Sequence, residues 1–379
     1  MGSHARRIRT GLAAGLAFTA SILGAFVGEG VARAQSMNPT PERLVLQPAG
    51  LPAGQTCQTI TANPSLVGGA ANATRFACLP DNAAFKNLVS ELGFALAPSV
   101  VHPARTVGFG GFLISLEAAY THINADGATH PSSGQPVQYW HQGTQGATDN
   151  NGNYQSTNAS PDSLLGVYSL NVRKGLPFGF ELGGALGYVQ DTSLWTVGAD
   201  VRWAILEGFR TGPLGYLPDL AVGGGVRTVT GSSKMYLTTV GIDVELSKPI
   251  PLASAASLTP YIGFQHLIVF GNSAVLDASP NVNAIQQCGY EGVQPNGSSG
   301  TPGAPACKNN NSDFNNNITF ASVQVNHERI FTGLTYRFEL LYLAAQFLME
   351  QPFVPLGNID SDLNSTLQWT LSLQAGVFF

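Results

Sequence analysis

The chain has 379 residues, only 11% of them charged, and 18 Lys+Arg against 23 Asp+Glu give a formal net charge of −5. Ordinary soluble domains carry about 25% charged residues, so a large water-exposed globule is disfavoured. The acidic balance also excludes the basic face that nucleic-acid binding needs.

Residues 1–34 read as a secretory signal peptide. Arg6, Arg7 and Arg9 form a basic start, Gly11 to Val27 is apolar and rich in small residues, and Ala32-Arg33-Ala34 offers a cleavage site before Gln35. The best uncharged stretch, Gly11 to Gly28, is borderline for a membrane span. No Cys lies near Ala34, so a lipid anchor is not indicated. Four cations and one anion leave with this leader, taking the net charge from −5 to about −8. Export permits disulfides. Cys57, Cys78, Cys288 and Cys307 allow three pairings, of which Cys57–Cys78 with Cys288–Cys307 is the local choice. None has C-x-x-C spacing or an adjacent His, which argues against zinc, and no cofactor or metal is expected.

Residues 35–106 are Pro-rich and irregular, apart from one helical pattern starting at Asp81, a good N-cap, with Phe85, Leu88, Val89 and Leu92 on one face. This segment is expected on the periplasmic side, plugging a lumen, resting at its rim, or packed only against itself. From 107 to 379 the apolar period becomes two. Ten strands are expected, near 111–120, 164–174, 178–190, 194–206, 219–230, 234–246, 258–270, 329–339, 341–350 and 367–379, with eight or twelve open if 317–331 is misread. In each, one face carries Phe, Tyr, Trp and Leu and the other Ser, Thr, Gln, Gly and charges. Strands of about nine to eleven residues cross a bilayer at a tilt, and an alternating sheet in lipid must close so that every backbone N–H and C=O is paired. The fold class is therefore all-β, a transmembrane antiparallel β-barrel. The long connections 122–163, 271–328 and 351–365 all fall opposite both ends of the barrel sequence, as external loops do. The turns at Gly175-Leu176-Pro177 and Lys248-Pro249 fall on the periplasmic side.

The last strand sets Leu367, Trp369, Leu371, Leu373, Ala375, Val377 and Phe379 against Gln368, Thr370, Ser372 and Gln374. It resembles the C-terminal signature of bacterial outer-membrane barrel proteins. The resemblance implies an outer-membrane location and recognition by the barrel-assembly machinery through Phe379, Val377, Leu373 and Leu371. It marks a class and no narrower family.

The polar face carries Glu117, Glu181, Asp200, Asp243, Glu245 and Glu339 against Arg173, Arg202, Arg227 and Arg337. A basic side chain facing lipid near the midplane costs about 2–4 kcal/mol, so these charges are expected to face inward as a belt. The belt either locks a narrow barrel or forms a selectivity ring for a small solute. Gly183, Gly184, Gly187, Gly223, Gly224 and Gly225 make room for bulky neighbours or a ligand. Catalysis would need a His with a carboxylate or Ser partner at the external rim. His122, His327, Asp191, Asp360 and Asp362 fall there without a motif spacing. His266 lies on the apolar face and reads as interfacial, and Asp149-Asn150-Asn151-Gly152-Asn153 reads as turn chemistry more readily than as a calcium loop. The expected partners are outer-membrane lipid, the assembly machinery and a small solute, with a surface-interaction barrel acting through its long loops as the alternative.

Overall fold

A computed structural model describes residues 37–46, 79–124, 161–208, 215–253, 255–277, 317–350 and 367–379, the pieces 128–129, 136–137, 288–290 and 305–307, and Trp140 and Gly143. The leader, Cys57, Cys78, Asp149–Asn153, Asp360 and Asp362 lie outside the described residues. Within them, ten long strands form one sheet: β1 Phe112–His122, β2 Leu164–Gly175, β3 Phe180–Val189, β4 Trp195–Leu206, β5 Asp219–Thr230, β6 Met235–Ser247, β7 Ala256–Ser273, β8 Val323–Phe338, β9 Leu341–Glu350 and β10 Trp369–Phe378. Each pairs antiparallel with its sequence neighbours. The sheet closes where β10 returns to β1, from Thr370 opposite Thr121 to Phe378 opposite Leu113. The last residue completes the seam, Phe379 N–H donating to Phe112 O at 2.8 Å and Phe379 O accepting from Phe112 N–H at 3.0 Å.

Closure follows from the two-residue period. On β1, Leu113, Ser115, Glu117, Ala119 and Thr121 are buried, while Ile114, Leu116, Ala118 and Tyr120 point outward. The same holds on β6, where Thr239, Asp243 and Glu245 are inside and Tyr236, Ile242, Val244 and Leu246 are exposed. An exterior this apolar is stable only in lipid, and a closed barrel is the sheet form that leaves no backbone group unpaired there. The chain is thus a transmembrane β-barrel. Aromatic pairs mark the two levels of the apolar band. Tyr188–Trp195 and Phe347–Trp369 lie toward the long connections, and Phe180–Trp203 lies toward the other end.

Two strands differ from their expected bounds. β7 runs to Ser273 and β8 starts at Val323. On that extension of β8, Val323 and Val325 are buried while Gln324 is exposed. The polarity reverses because the ribbon rises above the apolar band, where water is outside and the barrel core inside.

That core is a helix. α1, Asn82–Leu96, is capped by Asp81, whose Oδ1 accepts from Ala84 N–H at 3.0 Å. It is buried on nearly every side, by Phe85, Leu88, Val89, Leu92, Phe94 and Leu96 among others, because it stands inside the barrel. Its upper half packs on inward residues of the wall, including Val167, Val189, Val229, Leu237, Leu267 and Val269. Close approach is bought by glycine on both sides. A Cβ at Gly271 would stand 2.5 Å from Val89 Cγ1, and one at Gly93 would stand 2.7 Å from Val269 Cγ2.

Below α1 the chain continues through the lumen to β1. At the base, a Cβ on Gly175 would collide with the Gly108 carbonyl oxygen, so the plug backbone touches the wall directly. Gly108 and Gly110 hold positive φ, 83° and 79°, which glycine adopts without strain.

The start of the segment lies at the opposite end, unlike the periplasmic placement expected for all of 35–106. Met37 N–H donates to Asp191 O at 3.1 Å, Ser193 N–H donates to Asn38 Oδ1 at 2.6 Å, and Lys234 pairs with Glu42. Those partners lie in the turns after β3 and β5, on the side of the long connections. Residues Val45–Leu46 then pair with Leu79–Pro80 just before α1. The described residues between 37 and 111 therefore reach from one mouth of the barrel to the other.

Candidate functional site: the occupied lumen

The lumen divides into an apolar half around α1 and a charged half around residues 97–107. In the charged half, wall side chains grip the backbone of the lumen segment. Arg329, from β8, donates to Phe94 O at 3.1 Å and Pro98 O at 3.0 Å, and also bonds Gln265. Gln346 donates to Val100 O at 2.7 Å, Tyr342 to Val101 O at 3.3 Å, and Arg202 to Pro103 O at 2.5 Å. A segment with neither helix nor ladder needs such partners when buried, and the wall supplies them.

Eight of the ten charged residues singled out from sequence surround this segment. Arg173 pairs with Glu181 at 2.9 Å and Asp200 at 3.1 Å. Arg202 pairs with Glu245 at 3.1 Å. Glu117 accepts from Ser99 Oγ and Asn171 Nδ2, both at 2.9 Å, and Arg227 reaches Ser99 Oγ at 3.2 Å. Glu181 also accepts from Val107 N–H at 2.8 Å. Asp243 is buried with Oδ2 unbonded. The alternating charges thus bind the lumen segment as much as each other.

Arg337 and Glu339 do not join this group. Both are exposed at the basal mouth, Arg337 stacked 3.5 Å from the Phe378 ring centroid. They line a vestibule of about 540 Å³ between residues 102–108 and the wall. Physically, β8 reaches the barrel end at Phe338, so these two positions lie below the belt.

Members not singled out from the sequence include Arg329, Gln265, Gln346, Tyr342 and His102. Arg329 and His327 continue the inward period of Val323 and Val325, a signal obscured by the reversed polarity of that extension. His102 packs against Arg202, Nε2 to Nη2 at 2.7 Å, and burial with two neighbouring arginines holds its pKa well below the usual imidazole value.

A second cluster joins α1 to the wall above the belt. Ser90 Oγ lies 3.2 Å from His327 Nε2, and His327 Nδ1 lies 2.9 Å from Glu350 Oε1. The order resembles a nucleophile–base–acid relay, but the groups sit between helix and wall with the Phe94 ring edge-on to His327. The relay ties the helix to the barrel. Of the other rim candidates, His122 stacks on Trp369 and Asp191 accepts from Gln190 Nε2 at 3.3 Å. They do not meet. Glu91, on α1 rather than on a spanning strand, accepts from the Trp140 indole, and burial raises its carboxyl pKa to about 8. His266 pairs with Glu328 at 2.6 Å on the outer face. Among the described residues no cluster of three or more His, Cys, Asp or Glu is arranged to hold a metal ion. Of the assembly-signal residues, Leu371 and Leu373 are exposed outward, and Val377 lies opposite Ile114 at the β10–β1 seam. Cys288 and Cys307 are backbone register partners in a two-stranded ribbon, Cys288–Tyr290 with Pro305–Cys307.

No family model and no curated relative matches the chain. Solved structures similar to it include three bacterial barrels. The Ail attachment invasion locus protein of Yersinia pestis is 12% identical, over 72% of this chain and 99% of that one, with a TM-score of 0.23. The N-terminal β-barrel domain of Pseudomonas aeruginosa OprF is 10% identical, over 70% and 97%, at 0.24. The transport unit of the Escherichia coli autotransporter AIDA-I is 8% identical, over 79% and 99%, at 0.32.

Proposed function

We propose that this outer-membrane barrel is a narrow, plugged passage or binding barrel for a small solute, with α1 and residues 97–107 as the plug. The observation that carries the reading is the grip of Arg329, Gln346, Tyr342 and Arg202 on plug carbonyls. These donors hold a backbone that makes no ladder of its own. A lumen filled only for stability would more economically hold apolar side chains, since buried ionic groups are weak stabilisers. The charged half instead lies next to an open vestibule of about 540 Å³, within the range of small-molecule sites.

Conductance across planar bilayers tests this. The intact protein should show small or rare openings, and a variant lacking 35–106 should show large ones, provided heat-modifiable migration proves that it folds. A folded deletion variant without conductance would refute the passage. The alternative, a surface-interaction barrel, is supported by residues 37–46, which are clasped at the mouth that carries the long connections. Loss of binding to a surface partner on removal of those connections, with conductance absent throughout, would favour it.

A further inference from the structure

We infer that the basal vestibule is a binding site for a small organic anion, a carboxylate on a compact apolar body, with Arg337 as its principal charge. The inference rests on the reading of the barrel as a passage or binding barrel for a small solute and names that solute's class.

Among the described residues Arg337 forms no ion pair with a carboxylate, and it stacks on the Phe378 ring, 3.5 Å from its centroid. A guanidinium held over a ring keeps its edge N–H donors for other partners, and Arg337 lines the vestibule, so it can offer them to a carboxylate there. Arg105, on the lumen segment, lines the same space.

The acids of the vestibule are largely engaged. Glu181 is committed to Arg173 and to Val107 N–H. Glu207 accepts from Thr106 N–H at 3.1 Å and from the Thr106 hydroxyl at 2.8 Å. Glu339 remains, in the turn between β8 and β9, where its N–H donates to Ala255 O at 3.2 Å. Among the described residues it is the one acid of the vestibule that opposes an anion. The apolar side is continuous: Val107 and Phe378 pack on the buried cluster Val101, Leu113, Tyr342 and Ala344. A bare inorganic ion would leave that surface in water, whereas an apolar body covers it.

The test uses intact barrel in nanodiscs and three isosteres, benzoate, benzyl alcohol and benzylammonium, with inorganic phosphate as a fourth probe, by titration calorimetry. Benzoate should bind about tenfold or more tightly than the alcohol, the scale of one charge-assisted contact, with benzylammonium weakest. Arg337→Gln should abolish the preference, Arg337→Lys should keep part of it, and Glu339→Gln should strengthen it. Equal binding of the three isosteres, or an unchanged preference in a heat-modifiable Arg337→Gln protein, would overturn the inference. Phosphate binding as tight as benzoate would overturn it in favour of a bare-anion site. Binding does not require transport. Benzoate preference without conductance would remove the passage alone, and conductance without preference would remove this site alone.

Discussion

A methyl group at Gly93 probes how tightly the plug is set. In a free helix, Gly to Ala gains about 1 kcal/mol from backbone entropy. Here the new Cβ would lie 2.7 Å from Val269 Cγ2 and 3.1 Å from Val269 Cβ, with Cγ1 nearer still. Valine on a strand cannot swing aside, since both its branches start at Cβ, so helix or wall must yield by about 1 Å. Overpacking of this kind costs about 1–3 kcal/mol, which offsets or exceeds the propensity gain. Val269→Ala alone costs a cavity term of similar size. It also removes the two clashing methyls and leaves only the 3.1 Å approach to Cβ. The two changes should therefore be coupled favourably, by about 1–2 kcal/mol, with the double variant more stable than Val269→Ala alone. Urea unfolding in micelles gives the cycle, and amide exchange of α1 reports plug displacement directly. Additivity within about 0.5 kcal/mol, or a Gly93→Ala protein stabilised by about 1 kcal/mol, would refute close packing of α1 on β7.

Arg329→Ala should destabilise the barrel by about 3–5 kcal/mol, because it strips donors from two buried carbonyls and from Gln265; unfolding within 1 kcal/mol of the parent would contradict that role. Burial lifts the Glu91 carboxyl pKa from 4.5 to about 8, so its stabilising contribution is full below about pH 4.5 and lost as pH rises toward 8. Amide exchange of α1 should accordingly quicken from pH 5 to pH 8 after correction for the intrinsic rate, and Glu91→Gln should remove that trend. A tag inserted after Leu46 should be reached by antibody on intact cells, since residues 37–46 share a mouth with the long connections; labelling only after permeabilisation would reverse the assignment.

Much of the barrel was legible because lipid enforces the period. Wherever a strand crosses the apolar band, as β6 and β10 do, outward Val, Ile and Leu alternate with inward Thr, Asp or Gln, and register follows from the pattern. The N-cap of α1 was equally legible, as Asp81 stands directly before the apolar repeat. The candidate site was half legible: eight inward charges could be named, but not what they hold. Pro98, Val100, Val101 and Pro103 enter the site through backbone carbonyls, which carry no residue-type signal. Ser90 and His327 meet across 237 residues, a separation no local spacing encodes.

The reversed polarity of β8 has a mechanical consequence. Above the band, Val323 and Val325 belong to the same buried cluster as Phe85, Leu88 and Val89 of α1, and Phe320 stacks on Phe85 at 4.5 Å. The top of the plug is thus fused to the wall as in a soluble core, and residues 37–46 clamp it further. Its base is covalently continuous with β1. A lumen segment fixed at both mouths cannot leave the lumen as a unit, so the proposed passage requires a path that opens beside it. The weaker seam is the basal half, where hydrogen bonds to carbonyls that an ion or water can replace stand beside smaller apolar clusters around Val100 and Val101. Opening should therefore begin at residues 97–107, next to the vestibule, while α1 stays seated. Amide exchange resolved by segment would show this as faster opening of 99–107 than of 85–96, and uniform exchange across both would mean that the plug moves as one body.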